Sequence, residues 1–97
     1  WMTYKLQFKV SALKEWHKLD ATVRQQFKSK LRERLETPRV PSAALHGLKD
    51  AYKIKLRQSG YRLVYQVEDH ILVVTVIAVG KRDRNWVYET ALARLKP

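Results

Sequence analysis

The segment from Tyr52 to Tyr65 alternates apolar and basic residues and is interrupted by a Ser59-Gly60 pair. Alternation with a period of two predicts β-strands whose two faces differ in chemistry. A short break that contains glycine predicts a tight turn, so we expect this segment to form an antiparallel hairpin. A two-residue loop of Ser59 and Gly60 then sets the strand register, with Arg57 opposite Arg62, Lys55 opposite Val64, and Lys53 opposite Gln66.

The two faces of this hairpin are expected to be unlike. One face is apolar and consists of Tyr52, Ile54, Leu56, Tyr61, Leu63, Tyr65 and Val67. The other face, which we call the basic ladder, consists of Lys53, Lys55, Arg57 and Arg62. Like charges directly across paired strands destabilise a sheet, so a face that collects several of them is expected to meet an anion. The alternative is a solvated sheet face rich in lysine, and the basic ladder alone does not decide between the two.

Composition narrows the class of protein and of partner. The chain has 97 residues, which is one domain, and we expect that domain to run from Met2 to Pro97, with Trp1 as an added residue. A net charge of +11 favours polyanionic partners such as RNA, DNA, an acidic protein or an anionic membrane. Cysteine is absent, which excludes disulfides, thiolate nucleophiles and zinc–thiolate sites and is typical of a cytoplasmic protein.

Periodicity along the rest of the chain predicts an α+β fold. Residues 3–10 alternate like a strand with one solvated face. Asp20 can cap a helix in which Val23, Phe27, Leu31 and Leu35 recur every four residues, and a shorter helix is expected just before it. Residues 71–79 are apolar on both faces, which predicts a central strand covered by the helices. A last helix is expected within residues 85–96.

The expected order is therefore β-α-α-β-β-β-α, with a mainly antiparallel four-stranded sheet. All helices are expected on one face of the sheet. The opposite face, which carries the basic ladder, is expected to stay open.

A second basic segment follows the predicted central strand, from Gly80 to Tyr88. It contains Lys81, Arg82 and Arg84, and a guanidinium suits bidentate recognition of phosphate. Its aromatic residues, Trp86 and Tyr88, could stack on a base or pack on the sheet. Packing is the favoured interpretation for Trp86, and the sequence leaves Tyr88 open.

Other catalytic arrangements are not indicated. The histidines, His17, His46 and His70, are scattered over a helix, a loop and a turn, so no acid–base pair of histidines is expected. No carboxylate cluster suits Mg²⁺, and no phosphate-binding loop or dinucleotide motif occurs. We therefore expect neither a metal nor a cofactor. His46 precedes Gly47 in the loop that leads into the hairpin, which leaves a contact with a ligand open.

The two basic motifs resemble those of the RelE toxins of bacterial toxin–antitoxin pairs. The resemblance is carried by residues 52–57, 59–65, 79–84 and 87–88, and it continues through residues 13–16 and 22–25, which together span nearly the whole chain. It implies the microbial-RNase-like fold, in agreement with the predicted element order. One departure is His46, where the family pattern has a basic residue before the glycine.

The resemblance also implies an activity: cleavage of messenger RNA in the ribosomal A site by attack of a 2′-hydroxyl on its own phosphate, without a metal. The matched catalytic positions are Lys53, Lys55, Arg62, Arg82 and Tyr88. Tyr88 would stack on the reacting nucleotide and help remove the 2′-hydroxyl proton, and Arg82 would stabilise or protonate the leaving 5′ oxygen. The remaining cations of the set would hold the scissile phosphate. Further RNA contacts are expected from Arg57, Lys81, Arg84 and His46.

The partners implied by the resemblance are a RelB-type acidic antitoxin and the ribosome, including its small-subunit RNA. The antitoxin commonly displaces the C-terminal helix, here residues 85–96, and the toxin–antitoxin complex represses its own operon. The free toxin is expected to be a cytoplasmic monomer without a membrane role. Two alternatives stay open: a toxin of the ParE type, which poisons DNA gyrase, and a non-catalytic nucleic-acid-binding module.

Overall fold

The computed structural model describes residues 3–81 and 86–95. These residues form four strands and three helices in the predicted order, β-α-α-β-β-β-α. The elements are β1 (Lys5–Phe8), α1 (Val10–His17), α2 (Ala21–Glu36), β2 (Ala51–Lys55), β3 (Tyr61–Glu68), β4 (Val73–Lys81) and α3 (Trp86–Leu95). Short 3₁₀ turns occur at Pro41–Ala43 and Asp69–Ile71. Within the described ranges, each helix is too short or too polar to cross a membrane.

The four strands form one mixed sheet in the order β1-β4-β3-β2. β1 runs parallel to β4, whereas the β2–β3 and β3–β4 pairs are antiparallel, so the sheet is mainly antiparallel as predicted. β4 lies inside the sheet, and it is buried at every position from Val73 to Val79. The prediction of a central strand with two apolar faces is confirmed.

The first two helices cover one face of the sheet. The carboxylate of Asp20 accepts the backbone N–H of Thr22 at 3.2 Å, which caps α2 as the sequence predicted. Helical periodicity then places the buried residues Val23, Phe27 and Leu31 on one stripe. This stripe and Trp16 of α1 pack on the apolar face of the hairpin, at Tyr52, Ile54, Leu56, Leu63, Tyr65 and Val67.

The third helix packs on the opposite face, so the expectation that all helices share one face was wrong. Its buried residues, Val87 and Ala91, form a second apolar cluster with Ala51, Val64, Ile77 and Ala78 of the sheet. The physical reason lies in β4, whose second apolar face would otherwise be in water. Part of the face that carries the basic ladder is therefore covered and does not stay open.

The hairpin register also differs from the prediction, by two residues. The structure pairs Lys55 with Arg62 and Lys53 with Val64, and the loop comprises residues 57–60. A two-residue type I′ loop would need a positive φ at Ser59, and a type II′ loop would need glycine first. Here Gly60 has a φ of +76°, and its N–H donates to the Leu56 carbonyl at 2.9 Å. A shift of two residues keeps the side chains of the paired strands on their predicted faces, whereas Arg57 falls in the loop.

A polar network fixes the end of the sheet that lies away from this loop. Arg39 bonds Asp50 at 2.9 Å and also pairs with Asp69, and the Tyr4 hydroxyl donates to Asp69 at 2.6 Å. The network joins the chain before β1, the segment between α2 and β2, and the turn between β3 and β4. Hydrogen bonds from Arg39, then from Tyr4, hold the pKa of the Asp69 carboxyl below its ordinary value.

The lowered pKa of Asp69 predicts a pH dependence of folding. A carboxyl with a depressed pKa in the folded state stabilises the protein above its ordinary pKa of about 4 and loses that contribution as the pH falls through the folded value. In urea unfolding, Asp69→Asn should therefore lower the free energy of unfolding near neutral pH and approach the wild type near pH 2. A difference between the two proteins that does not change with pH would contradict this assignment.

Candidate active site

Three of the four cations of the basic ladder share one face at the end of the hairpin near its loop. Lys55 lies directly across from Arg62, a placement that brings Cβ atoms to within about 5 Å of each other. Lys53 lies two residues earlier on β2, on the same face and about 7 Å away along the strand. Lys53 and Arg62 are partly buried and Lys55 is exposed. The local charge density is therefore high and accessible from solvent.

α3 brings an aromatic ring to this group of cations. The guanidinium carbon of Arg62 lies over the ring of Tyr88, 5.2 Å from its centroid. That distance is within the range of a cation–π interaction. The Tyr88 hydroxyl is buried, and among the described residues it has no hydrogen-bond partner. A buried hydroxyl without a partner is uncommon in a folded protein, and a role in catalysis is one of its recognised explanations.

Gly80 permits this approach of α3 to the sheet. It pairs with Arg62 in the β3–β4 register. A Cβ atom at Gly80 would lie 2.7 Å from Cζ3 of the Trp86 ring and 3.2 Å from Cγ2 of Val87. The indole of Trp86 therefore packs on the strand at a point where no side chain fits, as favoured from the sequence. Gly80 is needed for this close contact, and α3 then carries Tyr88 over Arg62.

A cavity of about 340 Å³ opens beside Tyr88. It lies between α3 and the loop before β2, and its walls include Leu45, His46 and Leu48 on the loop side, with Tyr88 and Leu92 on the helix. The prediction left contact between His46 and a ligand open. The structure places His46 on the wall of the cavity that is also lined by the tyrosine that Arg62 covers.

Other predicted site residues lie apart from this group. Arg57 is in the hairpin loop and has left the basic ladder, because the register differs by two residues. Lys81 pairs with Tyr61 and lies over its ring at 5.9 Å, on the sheet face that α1 and α2 cover. Arg82 and Arg84 lie outside the described residues.

The arrangement suits the binding of an anion and chemistry on a phosphate. Cations that are held in place before a reaction can stabilise negative charge that develops in the transition state. A phenol next to them can donate a hydrogen bond to a substrate hydroxyl or accept one from it. Over residues 3–81 and 86–95, no group of three or more histidine or carboxylate side chains could hold a metal ion.

One polar pair near the site was missed from the sequence. Glu15 on α1 and Arg94 on α3 form an ion pair with Nη2 and Oε2 2.8 Å apart. They are separated by 79 positions in the chain. Neither residue interrupts the apolar periodicity of its helix. The sequence pattern therefore gave no sign of a contact between α1 and α3 past the edge of the sheet.

Comparison with known proteins agrees with the fold and identifies the family. Residues 6–86 match the model of the family described as ParE toxin of the type II toxin–antitoxin system parDE. The chain is 58% identical to the mRNA interferase toxin RelE of Escherichia coli K12 over 94 residues, which cover 97% of this chain and 99% of that protein.

Two solved structures of RelE from Escherichia coli superpose on this chain over most of its length. A doubly substituted RelE toxin in the free state superposes with a TM-score of 0.90 at 56% identity, and covers 98% of this chain and 100% of its own. The toxin in the intact RelBE toxin–antitoxin complex gives a TM-score of 0.81 at 60% identity, and covers 84% and 99% respectively.

The close contact at Gly80 predicts the effect of a single methyl group. Gly80→Ala should displace Trp86 and Val87, lower the free energy of unfolding by about 1–3 kcal/mol and change the NMR signals of the Tyr88 ring. Asp20→Ala is the control, because it removes the cap of α2, which packs on the opposite face of the sheet from α3. Loss of the cap should cost about 0.5–2 kcal/mol and leave the Tyr88 signals in place. Unchanged Tyr88 signals in Gly80→Ala would contradict the proposed role of Gly80.

Proposed function

The chain belongs to the RelE/ParE family of toxins, and on that premise we propose that it is an endoribonuclease that cuts messenger RNA in the ribosomal A site. The observation that carries the proposal is the position of Arg62 over the Tyr88 ring, on the sheet face that also holds Lys53 and Lys55. The likeness to a relative named as an mRNA interferase suggests the class of reaction. The cluster supplies groups that can perform it.

The proposed reaction is an internal transfer at phosphorus. The 2′-oxygen of a nucleotide forms a bond to the adjacent phosphorus, and the bond from phosphorus to the 5′-oxygen of the next nucleotide breaks. The products are a 2′,3′-cyclic phosphate and a 5′-hydroxyl. The 2′-hydroxyl gives up its proton to a base, and the leaving 5′-oxygen gains one, so the step consumes neither water nor a cofactor.

Each side chain of the cluster has a role in this scheme. Lys53, Lys55 and Arg62 bind the non-bridging oxygens of the scissile phosphate, where negative charge increases in the transition state. Tyr88 stacks on the reacting nucleotide and takes the 2′-hydroxyl proton. Arg82 stabilises the charge on the leaving oxygen or protonates it.

Electrostatic stabilisation is the larger part of the proposed catalysis. Removal of one preorganised donor from an active site commonly costs about 10²–10³ in turnover. Arginine stays protonated at all ordinary pH values, so Arg82 is better suited to charge stabilisation than to proton donation.

The ribosome completes the proposed site by holding the messenger in a reactive geometry. Correct positioning can contribute as much to a rate as the chemical groups themselves. We assign further contacts with messenger or small-subunit ribosomal RNA to His46, Arg57, Lys81 and Arg84. Of these, His46, Arg57 and Lys81 are exposed. An enzyme that acts on translating ribosomes works in the cytoplasm.

An acidic antitoxin of the RelB type is the proposed partner of this toxin. The toxin in two similar structures is bound by RelB or by a RelB peptide. A net charge of +11 favours an acidic partner, which would mask the cations. We propose that the free toxin is a monomer, that the antitoxin displaces α3, and that the complex represses its own operon on operator DNA.

Gyrase poisoning is the second candidate, because the family model that matches this chain is the one of the ParE toxins. Such an activity would need no cluster of Lys53, Lys55, Arg62 and Tyr88. It would leave messenger RNA intact and break DNA. Mapping of messenger ends after induction of the toxin therefore separates the two functions.

The central experiment is removal of one group from the cluster at a time. Arg62→Ala should slow cleavage of messenger on programmed ribosomes by about 10²–10³, because it loses both a phosphate ligand and the contact with Tyr88. Tyr88→Phe should slow cleavage by about 10²–10⁴, because it keeps the ring and removes the proton acceptor. Both variants should relieve growth arrest in cells.

The matched control is Arg32→Ala, which removes the same charge from an exposed site on α2, across the sheet from the cluster. Its cleavage rate should stay within about threefold of the wild type, because its charge is screened from the site by solvent. Full activity of a folded Arg62→Ala variant would contradict the site assignment. So would an equal loss of activity in Arg32→Ala.

A further inference from the structure

The edge of β4 that faces β1 is paired for only part of its length. β1 pairs with Val73–Val76, and the N–H of Lys9 donates to the Val76 carbonyl at 3.0 Å as the ladder ends. β4 continues to Lys81. Backbone groups on an unpaired edge must bond with water, another strand or side chains. Beyond the β1 ladder, the next backbone groups on this edge are the Ile77 carbonyl and the Val79 N–H.

Glu15 and Arg94 bond these two groups of the edge. The N–H of Val79 donates to Oε1 of Glu15 at 3.1 Å, and Nη1 of Arg94 donates to the Ile77 carbonyl at 2.8 Å. Arg94 also binds Glu15 in bidentate form, at 3.0 Å and 2.8 Å. Both side chains are about one-fifth exposed. Charge-assisted bidentate pairs of this kind are among the stronger and more directional hydrogen-bonded contacts.

This pair connects the two helical layers of the protein. Glu15 is on α1, which packs on one face of the sheet, and Arg94 is on α3, which packs on the other. Over the described residues, the hydrogen bonds and ion pairs that the side chains of α3 make with the rest of the chain all involve Arg94. The buried side chains of α3 are Val87 and Ala91, and the partly buried Tyr88 and Leu95 pack on the same apolar cluster.

We infer that the Glu15–Arg94 pair positions Tyr88 for the reaction by holding α3 at a fixed place and rotation on the sheet. Tyr88 and Arg94 are six residues apart, about 9 Å along the same helix. Apolar contacts are not directional, so the position and rotation of α3 also depend on the polar contact near each of its ends. Arg62 supplies one at Tyr88, and Glu15 supplies the other. This inference rests on the proposed function, in which Tyr88 acts on the substrate.

The test compares variants of the full-length toxin on programmed ribosomes, with kcat and KM measured separately. Arg94→Met keeps the length of the side chain and removes its hydrogen bonds, and it should lower kcat by about tenfold or more with KM within about threefold. Arg94→Lys should restore most of kcat, because it keeps a charged donor. Glu15→Gln keeps an acceptor for the Val79 N–H, so it should lower kcat by a smaller factor than Arg94→Met. It is the second variant to measure if Arg94→Met folds poorly.

Arg39→Met is the matched control for stability. It removes an arginine that pairs with two carboxylates at the far end of the sheet, away from α3. Its kcat should stay within about twofold of the wild type, even though its resistance to urea falls. Equal slowing in Arg39→Met and Arg94→Met would overturn the inference, because it would reveal a general effect of stability. An unchanged or increased kcat in Arg94→Met would overturn it too.

A structural readout separates this inference from the proposed function. Hydrogen exchange of the α3 amides should accelerate in Arg94→Met, with β3 unaffected, and the NMR signals of the Tyr88 ring should shift. Unchanged Tyr88 signals and unchanged exchange would overturn the positioning role, whatever the enzyme does. A wild-type protein that leaves messenger uncut would instead contradict the proposed function. The exchange rates and the Tyr88 signals would still show whether the Glu15–Arg94 pair holds α3.

Discussion

The site depends on the burial of β4 on both of its faces. A strand that is apolar from Val73 to Val79 on both sides has to be covered on both sides, and two separate helical layers do this. α1 and α2 cover the first face. α3 covers the second, and its packing there carries Tyr88 to Arg62. The burial of β4 on both faces thus brings Tyr88 of α3 to the cations of β2 and β3.

α3 is held by apolar packing on one side and by directional contacts near its two ends. Val87 and Ala91 are buried, Tyr88 and Leu95 pack beside them, and Gly80 is needed for the close packing of Trp86. A helix that packs on a sheet with one side only is well placed but can open without unfolding the sheet. Such a helix can position a catalytic ring, and a partner with a larger apolar surface can replace it. The same packing therefore fits both proposed properties, catalysis by Tyr88 and displacement of α3 by an antitoxin.

Most of the fold could be predicted from local patterns. The α2 stripe, the Asp20 cap and the buried central strand follow from periodicity, which reports how each element divides its surface. The hairpin faces were also correct, because alternation fixes them whatever the register. The prediction of a two-residue loop at Ser59 and Gly60 was wrong. The φ angle at each loop residue decides the turn type, and the sequence pattern does not report φ.

Long-range placement is where prediction from the sequence failed. Periodicity shows that α3 has an apolar side, but it does not show which face of a sheet that side covers. The contact between Glu15 and Arg94 joins residues 79 positions apart and depends on where β1 ends along β4. Alternation predicted that Lys53, Lys55 and Arg62 share one face, and the resemblance to a family added Tyr88 and the catalytic roles. Their arrangement around Tyr88 could be described only from the structure.

The most direct test of the account uses a messenger with a single 2′-deoxy nucleotide at the scissile position in the ribosomal A site. If the cations stabilise attack by the neighbouring 2′-oxygen, the wild-type toxin should cut the all-ribose messenger, leave a 2′,3′-cyclic phosphate, and leave the deoxy messenger intact. Binding of the two messengers to the ribosome is the control. Cleavage of both messengers at similar rates would contradict the account, because the nucleophile would then be water or another external group.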